Sequence, residues 1–236
     1  EEGCKKRPIH RFDGCDAEFQ LYEYIQKLVK EDGYDVTAIY EAGRCGFLPA
    51  RFMKSFGVDV FIVPIRKLEM VVSGKRRKTD RLDAQFLLNL DLDETPRVWL
   101  PDCVVEAKRF LLNERANLRT RINRVNAEMI NICTTLFLEE KDEFHRSSEE
   151  WTSYLIRVKD INGEHYTEKV IGLERRLEEL KVHEKNRNQI DQRMQIMEEQ
   201  DRAEMESKGL LSAMDKLSTL KGIGPVISRT LTWYIG

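Results

Sequence analysis

Two aspartates, Asp80 and Asp83, stand at the start of an amphipathic segment and could hold a metal ion. Thr79 before them is a favourable helix N-cap, and a carboxylate in the first turn suits the positive end of a helix. A spacing of three residues places both carboxylates on one helix face, where they repel each other unless a cation lies between them. This predicts a divalent-metal site, although aspartates also occur in first turns for dipole reasons alone.

Four consecutive cationic residues lie just before these aspartates, separated from Asp80 by Thr79, and a fifth lies between the two aspartates. They are Lys75, Arg76, Arg77, Lys78 and Arg81. From Arg66 to Arg81, seven Lys and Arg residues face only Glu69 and Asp80, which gives a local net charge of +5. Such a patch attracts polyanions, and contacts of this kind position a nucleic-acid backbone without reading its bases. The alternative is an ordinary solvated loop.

The overall composition limits the class of protein. The chain has 236 residues with a formal net charge of −2, so any nucleic-acid surface must be local. The five cysteines form no C-x-x-C pair, which favours free thiols in a reducing compartment. No apolar stretch reaches the roughly 18 residues that a membrane span needs. We therefore expect a cytoplasmic protein without a membrane partner.

A strand–helix–strand pattern precedes the basic run. Residues 36–40 and 58–64 are short, apolar and rich in β-branched side chains, as in buried strands, and residues 47–56 have a helical pattern between them. Short turns join the three segments, which predicts a βαβ unit with a parallel strand pair. Glu41 follows the first strand directly.

Glu41 and the two aspartates could therefore meet. In open α/β sheets, ligands gather at the carboxyl ends of the strands, and Glu41 stands at such an end. The chain leaves the second strand through the basic run and enters the helix of Asp80 and Asp83. We expect the three carboxylates to converge on one edge of the sheet, although a single Glu after a strand is often only a surface residue.

Two long helical segments follow, at residues 102–140 and from 165 to beyond 205, with a short helix at 151–158 between them. Apolar residues recur every seven positions in the first segment. They are Val104, Leu111, Leu118, Val125 and Ile132. A second row, at Val170, Leu173, Leu177 and Leu180, lines the other long segment. The pattern predicts an antiparallel coiled-coil hairpin, paired within one chain or across a dimer, and is also compatible with a plain helical spacer.

The last segment predicts two helices joined by a Gly-x-Gly hairpin. Lys221, Gly222 and Gly224 form the turn, and Pro225 suits the first position of the second helix. Backbone N–H groups at a helix start can hold a phosphate, so these residues are candidates for a nucleic-acid contact. The alternative is a helix-to-helix turn whose small residues serve packing.

These motifs together resemble those of the DEDD transposases of bacterial insertion sequences, the bridge-RNA-guided recombinases. Residues 40–47 resemble the family signature Y-E-A-G-x-x-G, and residues 78–84 resemble its K-T-D-x-x-D-A signature. Segments 98–101 and 220–224 also resemble family sequences. The resemblance implies an RNase H-like, RuvC-like α/β domain at 1–100, an antiparallel coiled-coil domain at 101–208, and the start of a helix-hairpin-helix-like transposase domain at 209–236.

The resemblance also assigns roles to residues. Glu41, Asp80 and Asp83 match the last three members of the family's acidic tetrad, which binds Mg²⁺ or Mn²⁺. The first aspartate of the tetrad is expected on a strand before residue 1. The serine nucleophile is expected beyond residue 236, because neither Ser218 nor Ser228 matches it. The chain is thus expected to be a catalytically incomplete fragment.

The implied function is transposition: site-specific cleavage and rejoining of DNA in the bacterial cytoplasm, with a structured guide RNA and a homo-oligomer formed through the coiled coil. Two alternatives remain open. One is a RuvC-like structure-specific endonuclease that hydrolyses DNA with two metal ions and no serine nucleophile. The other is a non-enzymatic adaptor that binds nucleic acid through the basic run.

Overall fold

The computed structural model describes residues 10–12, 14–43, 45–64, 80–135, 146–162 and 167–235. For residues 80–83, 161, 162, 167 and 235, only the backbone is considered. The chain divides into two compact units, Glu1–Pro101 and Asp102–Gly236. In the described part of the chain, no helix is both long and apolar enough to cross a membrane.

The first unit contains the predicted strand–helix–strand pattern. Its described elements are α1 (Ala17–Lys30), β1 (Thr37–Glu41), α2 (Leu48–Ser55), β2 (Asp59–Val63) and α3 (Asp80–Leu88). The strands β1 and β2 pair in parallel, with Thr37 opposite Asp59 and Glu41 opposite Val63. This confirms the parallel pairing that the βαβ pattern predicted. Gly57, with a φ of +85°, reverses the chain between α2 and β2.

The core of the first unit lies between the small sheet and the helices α1 and α2. Its buried side chains are Tyr22, Ile25, Ala50, Met53, Val58, Val60 and Ile62. Phe61, which alternates with Val60 and Ile62 along β2, is fully buried as well. The guanidinium of Arg97 lies over its ring, 4.3 Å from the centroid. Burial of both faces is typical of a strand in a parallel sheet and explains the continuous apolar run.

The described part of the sheet does not by itself establish an RNase H-like domain. In the residues that the structure describes, the sheet has two strands, and the chain is mostly helical. The segment after α3 returns to this sheet, because the backbone N–H of Val98 donates a 2.8 Å hydrogen bond to the carbonyl of Ile62. Arg51 on α2 donates a 2.7 Å hydrogen bond to the carbonyl of Pro101 and holds the end of that segment.

The second unit is helical throughout its described residues. Its elements are α4 (Cys103–Thr134), α5 (Ser148–Asn162), α6 (Thr167–Ser207), α7 (Ala213–Ser218) and α8 (Pro225–Ile235). Asp102 caps α4, because its carboxylate accepts a 2.7 Å hydrogen bond from the N–H of Val105. The interface of the two long helices carries cross-helix pairs. These are Lys108–Asp201 at 2.6 Å, Arg115–Asp191 at 2.5 Å and Glu128–Arg176 at 2.6 Å. From pair to pair, the residue number rises on α4 while that of its partner on α6 falls. The two helices are therefore antiparallel, as predicted.

The apolar seams of α4 and α6 are covered within one chain. Leu118 and Val125 on α4 are buried, as are Leu173, Leu177 and Leu180 on α6. Leu111, Ile132 and Val170 are partly buried at the margins of the core. Val104, the first member of the predicted row, lies in the first turn of α4 and is exposed. The remaining positions of the two predicted seams lie on the faces that these helices bury.

The helix α5 packs against α4 and α6 and makes this part of the unit a three-helix bundle. The prediction of a two-helix hairpin did not include this third helix. Its buried residues Trp151, Tyr154, Leu155 and Val158 join the core of α4 and α6. The helix also begins earlier than predicted, because Ser147 and Glu150 form a reciprocal cap at its start. The N–H of Ser147 donates to the Glu150 carboxylate at 2.6 Å, and the N–H of Glu150 donates to the Ser147 hydroxyl at 3.3 Å.

Candidate functional site

Glu41 stands at the end of β1, in a turn that local hydrogen bonds define. The N–H of Ala42, the next residue, donates a 2.8 Å hydrogen bond to the carbonyl of Val63 and extends the pairing with β2 by one step. The Tyr40 hydroxyl donates a 3.0 Å hydrogen bond to the carbonyl of Gly46 across the turn. Gly46 has a φ of +61°, a conformation that glycine adopts readily and other residues rarely do. The turn therefore fixes the backbone that carries Glu41.

The Glu41 side chain is half-buried, and no described residue forms an ion pair or a hydrogen bond with its carboxylate. A carboxylate at the carboxyl end of a parallel strand, without a basic partner in the described part of the chain, is available to a ligand. The sequence prediction for the position of Glu41 at the strand end is confirmed. Its role as a metal ligand stays a prediction.

The helix that carries the two aspartates lies against the strand that carries Glu41. Helix α3 begins at Asp80 and contacts β1. Asp80 and Asp83 therefore lie in its first turns, as the sequence predicted. Their side chains lie outside the described part of the structure, so the convergence of the three carboxylates stays a prediction. The contact between α3 and β1 is the arrangement of elements that this convergence requires.

The donor set of these residues fits a hard divalent cation. Three carboxylates supply only oxygen ligands, which Mg²⁺ and Mn²⁺ prefer over the nitrogen and sulfur ligands suited to zinc. Among the described side chains, no cluster of three or more His, Cys, Asp or Glu residues could hold a metal. Asp80 and Asp83 are not among those side chains, so this finding does not bear on the predicted triad.

The predicted basic run lies outside the described residues. This applies to Lys75, Arg76, Arg77 and Lys78, and for Arg81 only the backbone in α3 is described. In the sequence, the run lies just before Asp80, the first residue of α3. Its role in binding a nucleic-acid backbone stays a prediction.

The predicted hairpin at the end of the chain connects α7 and α8. Lys221 is exposed, and Gly222 has a φ of +89°, which requires the conformational freedom of glycine. A Cβ atom on Gly224 would meet nothing within 4 Å, so the surface beside it is open. The two helices pack on each other. Two helices joined by a tight turn are thus present, as predicted. Phosphate binding by this turn stays a prediction.

Two serines hold this hairpin together. The buried Ser228 hydroxyl donates a 2.6 Å hydrogen bond to the carbonyl of Met214 on α7. The Ser218 hydroxyl donates to the Ser228 oxygen at 3.2 Å. Both hydroxyls are engaged between α7 and α8, and the inference that neither serine is the nucleophile stays a prediction.

An ion pair fastens the hairpin to α6. Arg202 on α6 donates hydrogen bonds of 3.1 and 3.3 Å to the two carboxylate oxygens of Asp215 on α7. The Ser212 hydroxyl, which caps α7, donates to the same carboxylate at 2.7 Å. The Arg202 guanidinium, and to a lesser extent the Ser212 hydroxyl, hold the pKa of Asp215 below its usual value. These contacts orient the turn of Lys221, Gly222 and Gly224 relative to the long helices.

Sequence analysis missed an arginine-lined cleft in the second unit. The cleft has a volume of about 430 Å³ and lies between α4, α6, α8 and the start of α5. Its charged lining consists of Arg115, Arg119, Arg146, Arg187 and Glu184. The spacing of Arg115 and Arg119 on one helix face was visible in the sequence. Their proximity to Arg146 and Arg187 depends on the three-helix packing and was not.

Comparison with known proteins gives one informative similarity. No family model matches the chain. The chain is 26% identical over 189 residues to the transposase for insertion sequence element IS1533 from Leptospira borgpetersenii. The aligned part is 77% of this chain and 51% of that protein. The chain therefore spans about half the length of the curated relative that it matches.

Proposed function

We propose that this chain is part of an insertion-sequence transposase that cuts and rejoins DNA strands at an acidic metal site. The observation that carries the proposal is the contact between α3, which begins at Asp80, and β1, which ends at Glu41. The similarity to the transposase of insertion sequence element IS1533 supports the same function. One kind of support is local geometry, and the other is similarity over most of the chain.

The acidic residues in this proposal hold Mg²⁺ or Mn²⁺. Glu41 supplies a carboxylate from the end of β1, and Asp80 and Asp83 supply two from the first turns of α3. When bound, such an ion polarises a scissile phosphate and stabilises the charge that develops on it. The turn between Tyr40 and Gly46 keeps Glu41 in place, and the contact of α3 with β1 supports the proposed approach of both aspartates to it.

The remaining elements of the proposal concern the nucleic acid. Lys75, Arg76, Arg77 and Lys78, followed by Arg81, contact the DNA backbone beside the metal position, and the Lys221–Gly224 turn contacts it elsewhere. The first unit is proposed to be RNase H-like, in the RuvC-like form, and a structured guide RNA is a proposed partner. Self-association of the long helices is also part of the proposal. The seams are already covered within one chain, so self-association would use other faces.

The test compares acidic variants with matched controls in the complete reading frame that contains this chain. Glu41→Gln and Asp83→Asn should abolish Mg²⁺-dependent cleavage and joining of insertion-sequence ends while leaving DNA binding intact. Glu31→Gln and Asp35→Asn are the controls, because these residues are exposed and lie before β1, away from its Glu41 end. Unchanged cleavage in both Glu41→Gln and Asp83→Asn would overturn the proposal.

The form of the product separates transposition from simple hydrolysis. A protein–DNA covalent adduct, trapped in denaturant, is expected for a transposase with a serine nucleophile. Hydrolysed ends without an adduct would favour a RuvC-like endonuclease instead. DNA binding that persists with no cleavage under any metal condition would favour a non-enzymatic adaptor.

A further inference from the structure

We propose that the arginine cleft of the second unit binds the sugar–phosphate backbone of a nucleic acid. The inference rests on the proposed function and deepens it, because it adds a backbone contact that is far in sequence from the acidic residues. The cleft is formed within Asp102–Gly236 alone. Its lining comes from α4, α6, α8 and residues at and before the start of α5.

The lining of the cleft carries more positive than negative charge. Four arginines line it, whereas Glu184 is its single lining carboxylate. Glu184 accepts a 3.3 Å hydrogen bond from the backbone N–H of Ser148. Arg115 pairs with Asp191 through its Nε atom at 2.5 Å. For Arg119 and Arg187, no ion-pair or hydrogen-bond partner exists among the described residues. Two guanidinium groups, one on each long helix, are therefore available to an anion.

Aromatic side chains hold a further arginine at the same cleft. The guanidinium of Arg146 lies 5.3 Å from the ring centroid of Trp151 and 4.9 Å from that of Tyr154. Both rings belong to the core of the three-helix bundle, so their positions are fixed. Stacking on aromatic faces restrains a guanidinium, so Arg146 places a positive charge at a fixed position in the cleft.

The orientation of α8 adds positive potential at the same place. The carboxyl end of α8 is bound to the first half of α4, because Arg109 donates a 2.5 Å hydrogen bond to the carbonyl of Tyr234. The other end of α8 lies at the cleft, which Val226 lines. A helix N-terminus presents free N–H groups and a partial positive charge. The predicted phosphate contact at Lys221–Gly224 directly precedes this end of α8 in the sequence.

The cleft fits a phosphodiester backbone better than an isolated small anion. Its arginines come from three separate parts of the chain, and the cleft is partly open to solvent. Guanidinium groups bind phosphate with paired hydrogen bonds, and several in a row can follow successive phosphates. The shared chemistry of DNA and RNA is this backbone, and the test below separates the two.

The test measures binding of a labelled DNA duplex and of a labelled RNA stem-loop to the full chain at several salt concentrations. The cleft variant is Arg119→Gln/Arg187→Gln. The matched control is Arg121→Gln/Arg193→Gln, which removes the same charge from α4 and α6 at exposed positions outside the cleft. Glutamine keeps a good helix propensity in all four positions. Circular dichroism and thermal melting of both variants establish that the fold is intact.

The cleft variant should bind one of the two probes at least about tenfold more weakly. Its slope of log affinity against log salt should be smaller by roughly 1 to 2, because each lost phosphate contact removes about 0.7 to 0.9 from that slope. The probe that is affected identifies the nucleic acid. Equal binding by the cleft and control variants, for both probes, would overturn the inference. This test measures binding and not cleavage. If the acidic site proved not to cleave DNA, weaker binding by the cleft variant would still support the cleft as a binding site.

Discussion

The indole N–H of Trp151 on α5 donates a 2.5 Å hydrogen bond to the side-chain oxygen of Asn126 on α4, in the core of the helical unit. The Asn126 amide nitrogen donates in turn to the carbonyl of Ile122 at 3.1 Å. Both side chains are almost fully buried, with exposed fractions of 2% and 1%. This polar pair fixes the register of α5 against α4 inside an otherwise apolar core.

Trp151→Phe should lower the free energy of unfolding by about 1 to 3 kcal/mol, because it leaves the buried Asn126 oxygen without a donor. Urea unfolding followed by circular dichroism measures this change. A double-mutant cycle with Asn126→Ala isolates the pair, and we expect a coupling energy of about 0.5 to 3 kcal/mol. Strictly additive effects of the two substitutions would mean that the hydrogen bond contributes nothing to stability.

The ion pair of Arg202 and Asp215 attaches the hairpin to α6, and this attachment should weaken in acid. The pKa of Asp215 is held below 3.8, first by the Arg202 guanidinium and then by Ser212. A lowered folded-state pKa contributes stability that is present above about pH 3.8 and is lost as the pH falls through the folded value. Arg202→Gln should therefore destabilise the attachment at neutral pH and have little effect in strong acid.

A carbon-detected NMR titration of the Asp215 carboxyl checks this directly. The pKa should rise toward its ordinary value in Arg202→Gln, and hydrogen exchange in α7 should become faster at neutral pH. Lys208→Gln is a control, because Lys208 pairs with Glu204 at 2.5 Å and not with Asp215. An unchanged Asp215 titration in Arg202→Gln would show that the pair does not form in solution.

The basic run before α3 should bind a nucleic-acid backbone without reading its sequence. Replacing Lys75, Arg76, Arg77 and Lys78 by alanine should weaken DNA binding for every sequence tested, since phosphate contacts position a duplex and do not specify it. A salt titration measures the effect, because each neutralised phosphate releases counterions. An unchanged slope of log affinity against log salt would mean that these residues contact no phosphate.

Much of the fold was visible in the sequence because periodicity and turn residues act locally. The apolar run that became β2, the glycine that ends α2 and the seven-residue spacing of α4 each specify an element without reference to the rest of the chain. The antiparallel pairing of α4 and α6 followed from two complementary seams. The parallel pairing of β1 and β2 followed from the short helical connection between them.

What sequence reasoning missed depends on contacts between distant segments. The membership of α5 in the core requires Trp151 to meet Asn126 from another helix, and nothing near either residue indicates this. The arginine cleft likewise combines Arg119 with Arg146 and Arg187 across turns whose geometry the sequence does not specify. For the acidic site, the sequence predicted the right elements, since α3 contacts β1, and the convergence of the carboxylates stays a prediction.

Iron-directed backbone cleavage can determine whether Glu41, Asp80 and Asp83 share one divalent ion. Fe²⁺ binds carboxylate sites that accept Mg²⁺ or Mn²⁺, and with ascorbate and peroxide it cuts the backbone only near the bound ion. We predict cuts at residues 40–42 and at 79–84, both suppressed by Mg²⁺, and loss of the 79–84 cuts in Glu41→Gln but not in Glu31→Gln. Cuts at 79–84 that persist in Glu41→Gln, or no Mg²⁺-sensitive cuts in either segment, would contradict a shared ion.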